Sequence, residues 1–464
     1  MIENSPARCH AQGTRLRHLI TLIAVAGASA SVAIPAAHAQ QATAAKRPAD
    51  KPPVAQGWID IATYSSAGMP DMSAMMMGGG GSPLAGMFGG KKDQGNVFGN
   101  TRVGGAGSYV DVTLRTSRNP SLAEAVQAVP PGSKLAPSLQ LKLLPESKPL
   151  PPGDSEDVPR EPPKFRIKLY WGCGPTVRPG QPKMLDFSTA TTAQLAEIFK
   201  GRSATQRGTH AAPGRPVWPN LEDRRMVPPG ATFAGEHAFT GQGVPDGFRF
   251  TLPPAQDVMP AIALKQVQTD GVTHLSWQPL PTARAYFIAA MGGRGEEARE
   301  GSSGSVEMTL WTSSEVPDSG LGLVDYQTNP AVDRWLKDKV LLAPATTSCD
   351  VPKGIFGEGT DESMGMLRMI AYGSELNLAH PPRPADPNIA WEPEWAVKVR
   401  VKSVTSAVLG MPSMDDGGAS AEDGPGAGGE GSSDTGETEQ PKKKKKFGLK
   451  DALDAVKDSV PLPN

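Results

Sequence analysis

The chain has 464 residues, among them 52 Gly and 46 Pro but only 8 Trp, 6 Tyr and 12 Phe. Gly plus Pro at about 21% against an ordinary ~12% excludes a helical bundle or coiled coil, and the lack of a Gly-X-Y period excludes collagen. Lys plus Arg is 47 against 48 Asp plus Glu, a net charge of −1, so the chain lacks the overall basic footprint of a nucleic-acid binder.

At the N-terminus, Arg8, Arg15 and Arg17 precede an apolar run from Leu19 to Ala36. Ala37-His38-Ala39 then supplies an A-x-A cleavage site, so residues 1–39 are expected to be a secretory signal peptide and the mature protein periplasmic or secreted. The alternative, a transmembrane helix, is weakened by Gly27, Ser29, Ser31 and Pro35. Residues 40–56 are expected to be a disordered spacer. Cys9 leaves with the signal, and the remaining pair, Cys173 and Cys349, suggests one disulfide in an oxidising compartment; two separate buried thiols are the alternative.

Beyond residue 56 the dominant pattern is strand alternation. Trp58 to Tyr64 is the first candidate strand. In Ser108 to Arg115, Val110, Val112 and Leu114 share one face and Asp111, Thr113 and Arg115 the other. Phe165, Ile167, Leu169, Trp171 and Cys173 alternate with Arg166 and Lys168. Phe248 to Leu252 repeats the pattern, and Trp395, Val397, Val399 and Val401 alternate with Lys398, Arg400 and Lys402. A period of two with one charged face predicts antiparallel sheets packed on one side only. Helices are few: Thr192 to Lys200, and Ala331 to Leu342 with Asn329 as N-cap and Pro330 at the first turn.

Gly and Pro concentrate in three segments: Met69 to Gly107, the Pro-rich connector Pro130 to Pro163, and Pro412 to Gln440, which carries eight acidic residues and no basic one. The first holds Met69, Met72, Met75, Met76, Met77 and Met87. Repeated M-x-x-M thioethers suit Cu(I), which makes copper handling one candidate function; an adaptable apolar contact loop is the plainer reading. Residues 410–446 form an acidic linker ending in Lys442, Lys443, Lys444, Lys445 and Lys446, followed by a short amphipathic tail, 447–464. These lysines suit an anionic membrane surface, or else form a solvated charge run.

From Met259 onward, His274-Leu275-Ser276-Trp277, Pro279, Pro281 and Ala283-Arg284-Ala285-Tyr286-Phe287 resemble strands B and C of a fibronectin type III-like sandwich. Val306 to Leu310, Leu367 to Tyr372 and Trp395 to Val401 resemble its later strands, over roughly 257–405. The resemblance implies a fold and no ligand. The mature chain also resembles a family of uncharacterised exported proteobacterial proteins, through Tyr170-Trp171-Gly172-Cys173-Gly174 with Gly180-Gln181-Pro182, Ser348-Cys349-Asp350-Val351-Pro352 and Pro381-Pro382-Arg383-Pro384-Ala385-Asp386-Pro387. That family carries no activity to transfer.

Catalytic motifs do not emerge. Gly153-Asp154-Ser155 lies in the Pro-rich connector rather than after a strand, and 301–304 (GSSG) reads as a hairpin loop. There is no H-E-x-x-H, Walker A or dinucleotide fingerprint. Glu236-His237 lacks a second ligand pair for zinc, and His274 is expected to be solvated on a strand's polar face. The expectation is a mainly β protein with two antiparallel β-sandwich-like domains, 57–256 and 257–409, short accessory helices and disordered linkers. Its expected function is that of an exported, non-catalytic cell-envelope binding or scaffold protein. Periplasmic copper handling and an enzyme of unrecognised type are the alternatives.

Overall fold

The computed structural model describes residues 50–67, 95–135, 137–145, 164–194, 202, 208–296, 305–356, 365–386 and 388–409. The fold is mainly β. Strands β1 (Ala55–Ser66), β2 (Gly107–Thr116), β3 (Glu124–Ala128), β4 (Ser138–Lys142), β5 (Lys164–Trp171), β6 (Lys183–Asp186), β7 (Val217–Trp218), β8 (Gly235–Gly241) and β9 (Arg249–Leu252) come from the first half. The second half supplies β10 (Lys265–Thr269), β11 (Val272–Ser276), β12 (Ala285–Glu296), β13 (Ser305–Thr312), β14 (Ser348–Val351), β15 (Gly365–Tyr372), β16 (Leu376–His380) and β17 (Trp395–Leu409). One long sheet runs β6-β5-β13-β12-β15-β17-β1-β2-β7-β4-β3-β8-β9, with β16 also on β17; β10-β11-β14 form a second sheet. Leu275, Cys349 and Val351 of the small sheet share an apolar cluster with Tyr286, Ile288, Leu367, Met369 and Val399 of the large one.

The expected division at 256/257 does not separate the sheets. β1 pairs in parallel with β17 over twelve residues, from Ala55↔Trp395 to Ser66↔Ser406. β5 likewise pairs in parallel with β13. Strands of 57–256 therefore extend both edges of the β13-β12-β15-β17 set, and the described residues fall in one compact unit. The anticipated spacer 40–56 also overlaps the sheet, because β1 already begins at Ala55 and Lys51 N–H donates to Trp391 O. Within the Pro-rich connector, β4 pairs with β3, an alternation hidden by the flanking prolines.

A second correction concerns packing. The alternation in β2 and β17 is real, yet its charged face is buried: Asp111 and Thr113 of β2, and Arg400 and Lys402 of β17, are all at most 2% exposed. A period-two pattern shows which residues share a face and says nothing of what covers the second face. Here loops and a helix cover it. Tyr64, Tyr109, Phe287, Ile370, Tyr372 and Val404 pack there against Leu323, Tyr326, Val332 and Trp335.

The helix α1 spans Asn329–Lys337, with Thr328 at the N-cap and no side-chain cap bond. Asn329, expected as the cap, instead lends its side chain to the connection between two strands. Its Nδ2 donates to Glu375 O and its Oδ1 accepts from Glu375 N, which satisfies the backbone where β15 breaks into β16. The helix ends earlier than Leu342, at a turn where Lys339 adopts φ 57° and Val340 N–H donates to Trp335 O. Of the other expected helix, only Thr192–Gln194 lies among the described residues, and it is helical.

Cys173 and Cys349 are bonded, with Cα atoms 5.1 Å apart. Cys173 follows β5 at one end of the large sheet and Cys349 lies in β14, so the bond joins the two sheets. Gly174 N–H donates to Asp350 O alongside it. Closing a separation of 176 residues stabilises a fold by ~4–5 kcal/mol in the chain-entropy picture. Urea unfolding of a Cys173→Ala/Cys349→Ala double variant is expected to show a loss of that order against the oxidised parent.

Candidate functional site

The covered charged face of β1, β2 and β17 is the chemically richest place among the described residues. Register explains its order. Asp60 stands opposite both Asp111 and Arg400, Ala62 opposite Tyr109 and Lys402, Trp58 opposite Thr113 and Lys398, and Gln56 opposite Arg115. All these side chains share one face because strand residues alternate.

At the centre, Arg400 Nε and Nη2 donate to Asp60 Oδ1 and Oδ2 at 2.7 and 2.6 Å, a bidentate pair. Thr209 donates its N–H and its hydroxyl to Asp60 Oδ2 at 3.0 and 2.6 Å. Burial alone would raise the Asp60 pKa, but the Arg400 charge and the bonds from Arg400 and Thr209 outweigh it and hold the carboxyl below its ordinary value. Gly208 permits this lid: a Cβ there would lie 1.6 Å from Arg400 Nη2. Tyr326, with Arg400 over its ring at 4.4 Å, donates its hydroxyl to Ile61 O.

On one side of this pair, fully buried Lys402 donates to Asp325 Oδ1 at 2.7 Å and lies 4.2 Å from the Tyr326 ring centroid and 5.9 Å from that of Tyr64. Burial pulls the Lys402 ammonium down to about 8, against the opposing pull of Asp325. Asp111 accepts from Gly99 N–H and from the Thr101 hydroxyl. Its burial, reinforced by the nearby Asp60 charge, pushes it up to about 7 despite those bonds. Tyr64 donates to Thr101 O, and Arg102 Nη2 to Thr209 O, so the two covering segments are tied to the sheet and to each other.

On the other side lies Trp58. Arg115 sits 5.8 Å and Arg215 4.6 Å from its ring centroid, and His210 approaches edge-on at 6.1 Å.

The residues singled out in the sequence are dispersed. The methionines 69, 72, 75, 76, 77 and 87, the lysines 442–446 and the signal segment lie outside the described residues. Cys173 and Cys349 form the disulfide. His237 is buried, with Nε2–H donating to Phe233 O and Nδ1 accepting from Gln127 Nε2; burial lowers its pKa, and both nitrogens are engaged within the fold. His274 is exposed and pairs with Asp350 at 2.8 Å. His380 stacks on Trp395. Among the described residues no group of three or more His, Cys, Asp or Glu is arranged to hold a metal. The sequence reading assigned Lys398, Arg400 and Lys402 to an open polar face. The signal it passed over was the appearance of opposite charges, Asp60, Asp111 and Arg400, in the middle of three strong strands.

Two outcomes are expected. Folded Asp111 keeps its proton to about 7 while the unfolded chain loses it near 3.8, so unfolding free energy falls as pH rises between those values. Asp111→Asn is expected to shrink that fall by up to about 4 kcal/mol, read from urea midpoints at pH 4 to 8. Asp60→Ala, which strips the carboxylate from beside a buried guanidinium, is expected to cost ~3–5 kcal/mol, and Asp60→Leu with Arg400→Met much less.

No family model, curated protein or solved structure matches the chain.

Proposed function

We propose that the chain is an exported, non-catalytic binding or scaffold protein of the cell envelope, with a fibronectin type III-like module over 257–409. The observation that carries the non-catalytic reading is the self-partnered state of its charged centre. Asp60, Arg400, Lys402 and Asp111 are each bonded to groups of the same chain and closed over by residues 96–102, 208–209 and 325–326. A centre in which Asp60 pairs with Arg400 and Lys402 with Asp325, while Asp111 is bonded to Gly99 and Thr101, all under a tied lid, suits a stiff platform. Turnover would instead need a poised group within reach of a substrate atom.

The module is supported by β10-β11-β14 lying across a shared core from β13-β12-β15-β17. Trp277 meets Tyr286 edge-on at 5.6 Å, and Tyr286 Oη accepts from Leu280 N–H, so the tyrosine fastens the proline-containing turn between β11 and β12. Such a sandwich presents edges and loops as binding surfaces and implies no particular ligand.

Immobilised protein is expected to retain a defined component of detergent-solubilised envelope fractions after a high-salt wash. Deleting 410–464 separates retention by the folded part from retention by the lysine tail. Hydrolysis of glycans, esters or peptides by the purified protein, at a rate lost in a variant of its own residues, overturns the non-catalytic reading.

A further inference from the structure

We propose that Arg115 and Arg215, placed side by side against Trp58, form a binding site for an oxyanion group, a carboxylate or a phosphate. β2 and β7 pair as Val112↔Trp218 and Thr113↔Val217. Leu114 N–H continues the ladder to Pro216 O. One more step along this antiparallel register brings Arg115 opposite Arg215. Like charges directly opposite one another on neighbouring strands destabilise a sheet. The chain accepts this repulsion without a neutralising acid: among the described residues, neither guanidinium forms an ion pair with a carboxylate. The neighbouring cation, Lys398, register partner of Trp58, is already committed to Glu375 at 3.1 Å.

The two arginines are also held in place. Trp58 is 6% exposed and its indole lies against both guanidinium groups. Gln56 Oε1 accepts from Arg115 Nη2 at 3.2 Å. The 212–215 turn that delivers Arg215 is closed by Arg215 N–H to Ala212 O. Gly214 in that turn, at φ +68°, sits so close to Pro120 that a Cβ would lie 1.8 Å from its carbonyl oxygen. Both arginines are half-buried, and Arg215 Nη1 is buried without a hydrogen-bond partner. Partial burial, and after it the Arg115 charge, lower the Arg215 pKa. An oxyanion group between the two forks turns the repulsion into charge-assisted hydrogen bonds, for which guanidinium geometry is suited. The ligand class is thus set by the residues: an oxyanion borne on a sugar, a lipid headgroup or a free phosphate.

This inference rests on the binding reading only for its role in the envelope. The test uses the full chain and phenylglyoxal, which modifies accessible guanidinium groups, with labelled sites read by peptide mass. Sodium phosphate, and in a second arm sodium glucuronate, is compared with sodium chloride at equal ionic strength. Phosphate or glucuronate is expected to slow labelling of Arg115 and Arg215 by about threefold or more, leaving exposed Arg118 unaffected. Protection by phosphate alone points to phosphate-bearing sources, and protection by glucuronate alone to uronic-acid sugars; protection by neither overturns the site. Calorimetry on an Arg115→Gln/Arg215→Gln protein with unchanged circular dichroism is expected to show affinity for the protecting anion reduced by about tenfold or more. Undiminished affinity also overturns it. Loss of protection refutes the anion site alone. Failure of envelope capture with protection intact refutes the binding reading alone.

Discussion

The Asp60–Arg400 pair sets the terms for the rest of the fold. Two opposite charges sit on adjacent central strands, at registered positions, with almost no solvent contact. Ions taken from water at this depth are tolerated only when bonded on nearly every side. The structure meets that demand with Thr209 above, Tyr326 alongside and Gly208 close enough to leave no room for a side chain. The loops that cover the face are thus held by the ions they cover. Asp111 and Lys402 extend the arrangement on one side, and each shows the strain of burial as a displaced proton affinity.

The same pair unites the two halves of the chain. β1 belongs to the first half and β17 to the last, and their parallel ladder is reinforced by a charge pair in the middle. β5 repeats the manoeuvre at the opposite edge by pairing with β13, and the Cys173–Cys349 bond fastens that end to the small sheet. The strand set of the second half is therefore clamped between two contributions from the first. The mutual arrangement is fixed by backbone ladders and one covalent bond.

Much of the element content was legible in sequence. β2, β5, β9 and β17 follow from alternation. The joining of the halves was not legible, because strand periodicity carries no address: nothing in Trp58 to Tyr64 names Trp395 to Leu409 as its neighbour. The buried face failed for a related reason. Arg400 and Lys402 look like solvent-facing residues until Asp60 and Asp325 are known to stand beside them. β4 was masked by prolines on both sides. The Trp58 site escaped because its two arginines lie a hundred residues apart and meet only through the β2–β7 register.

That register-driven assembly also bears on how the chain reaches its native state. β1, the central strand of the long sheet, finds its parallel partner only in the last described strand, with nearly the entire domain intervening. Contacts of such sequence separation carry a large loop-closure entropy and form slowly. During synthesis β2 can pair with β1 early, but the other edge of β1 stays open, and Asp60 lacks its Arg400 partner, until residues 395–409 have emerged. A nascent chain in this condition exposes an unpaired apolar strand edge, the kind of surface that chaperones bind and that aggregation exploits. The architecture therefore couples completion of the sheet to completion of the polypeptide, and a chain cut short before β17 has no way to close its centre.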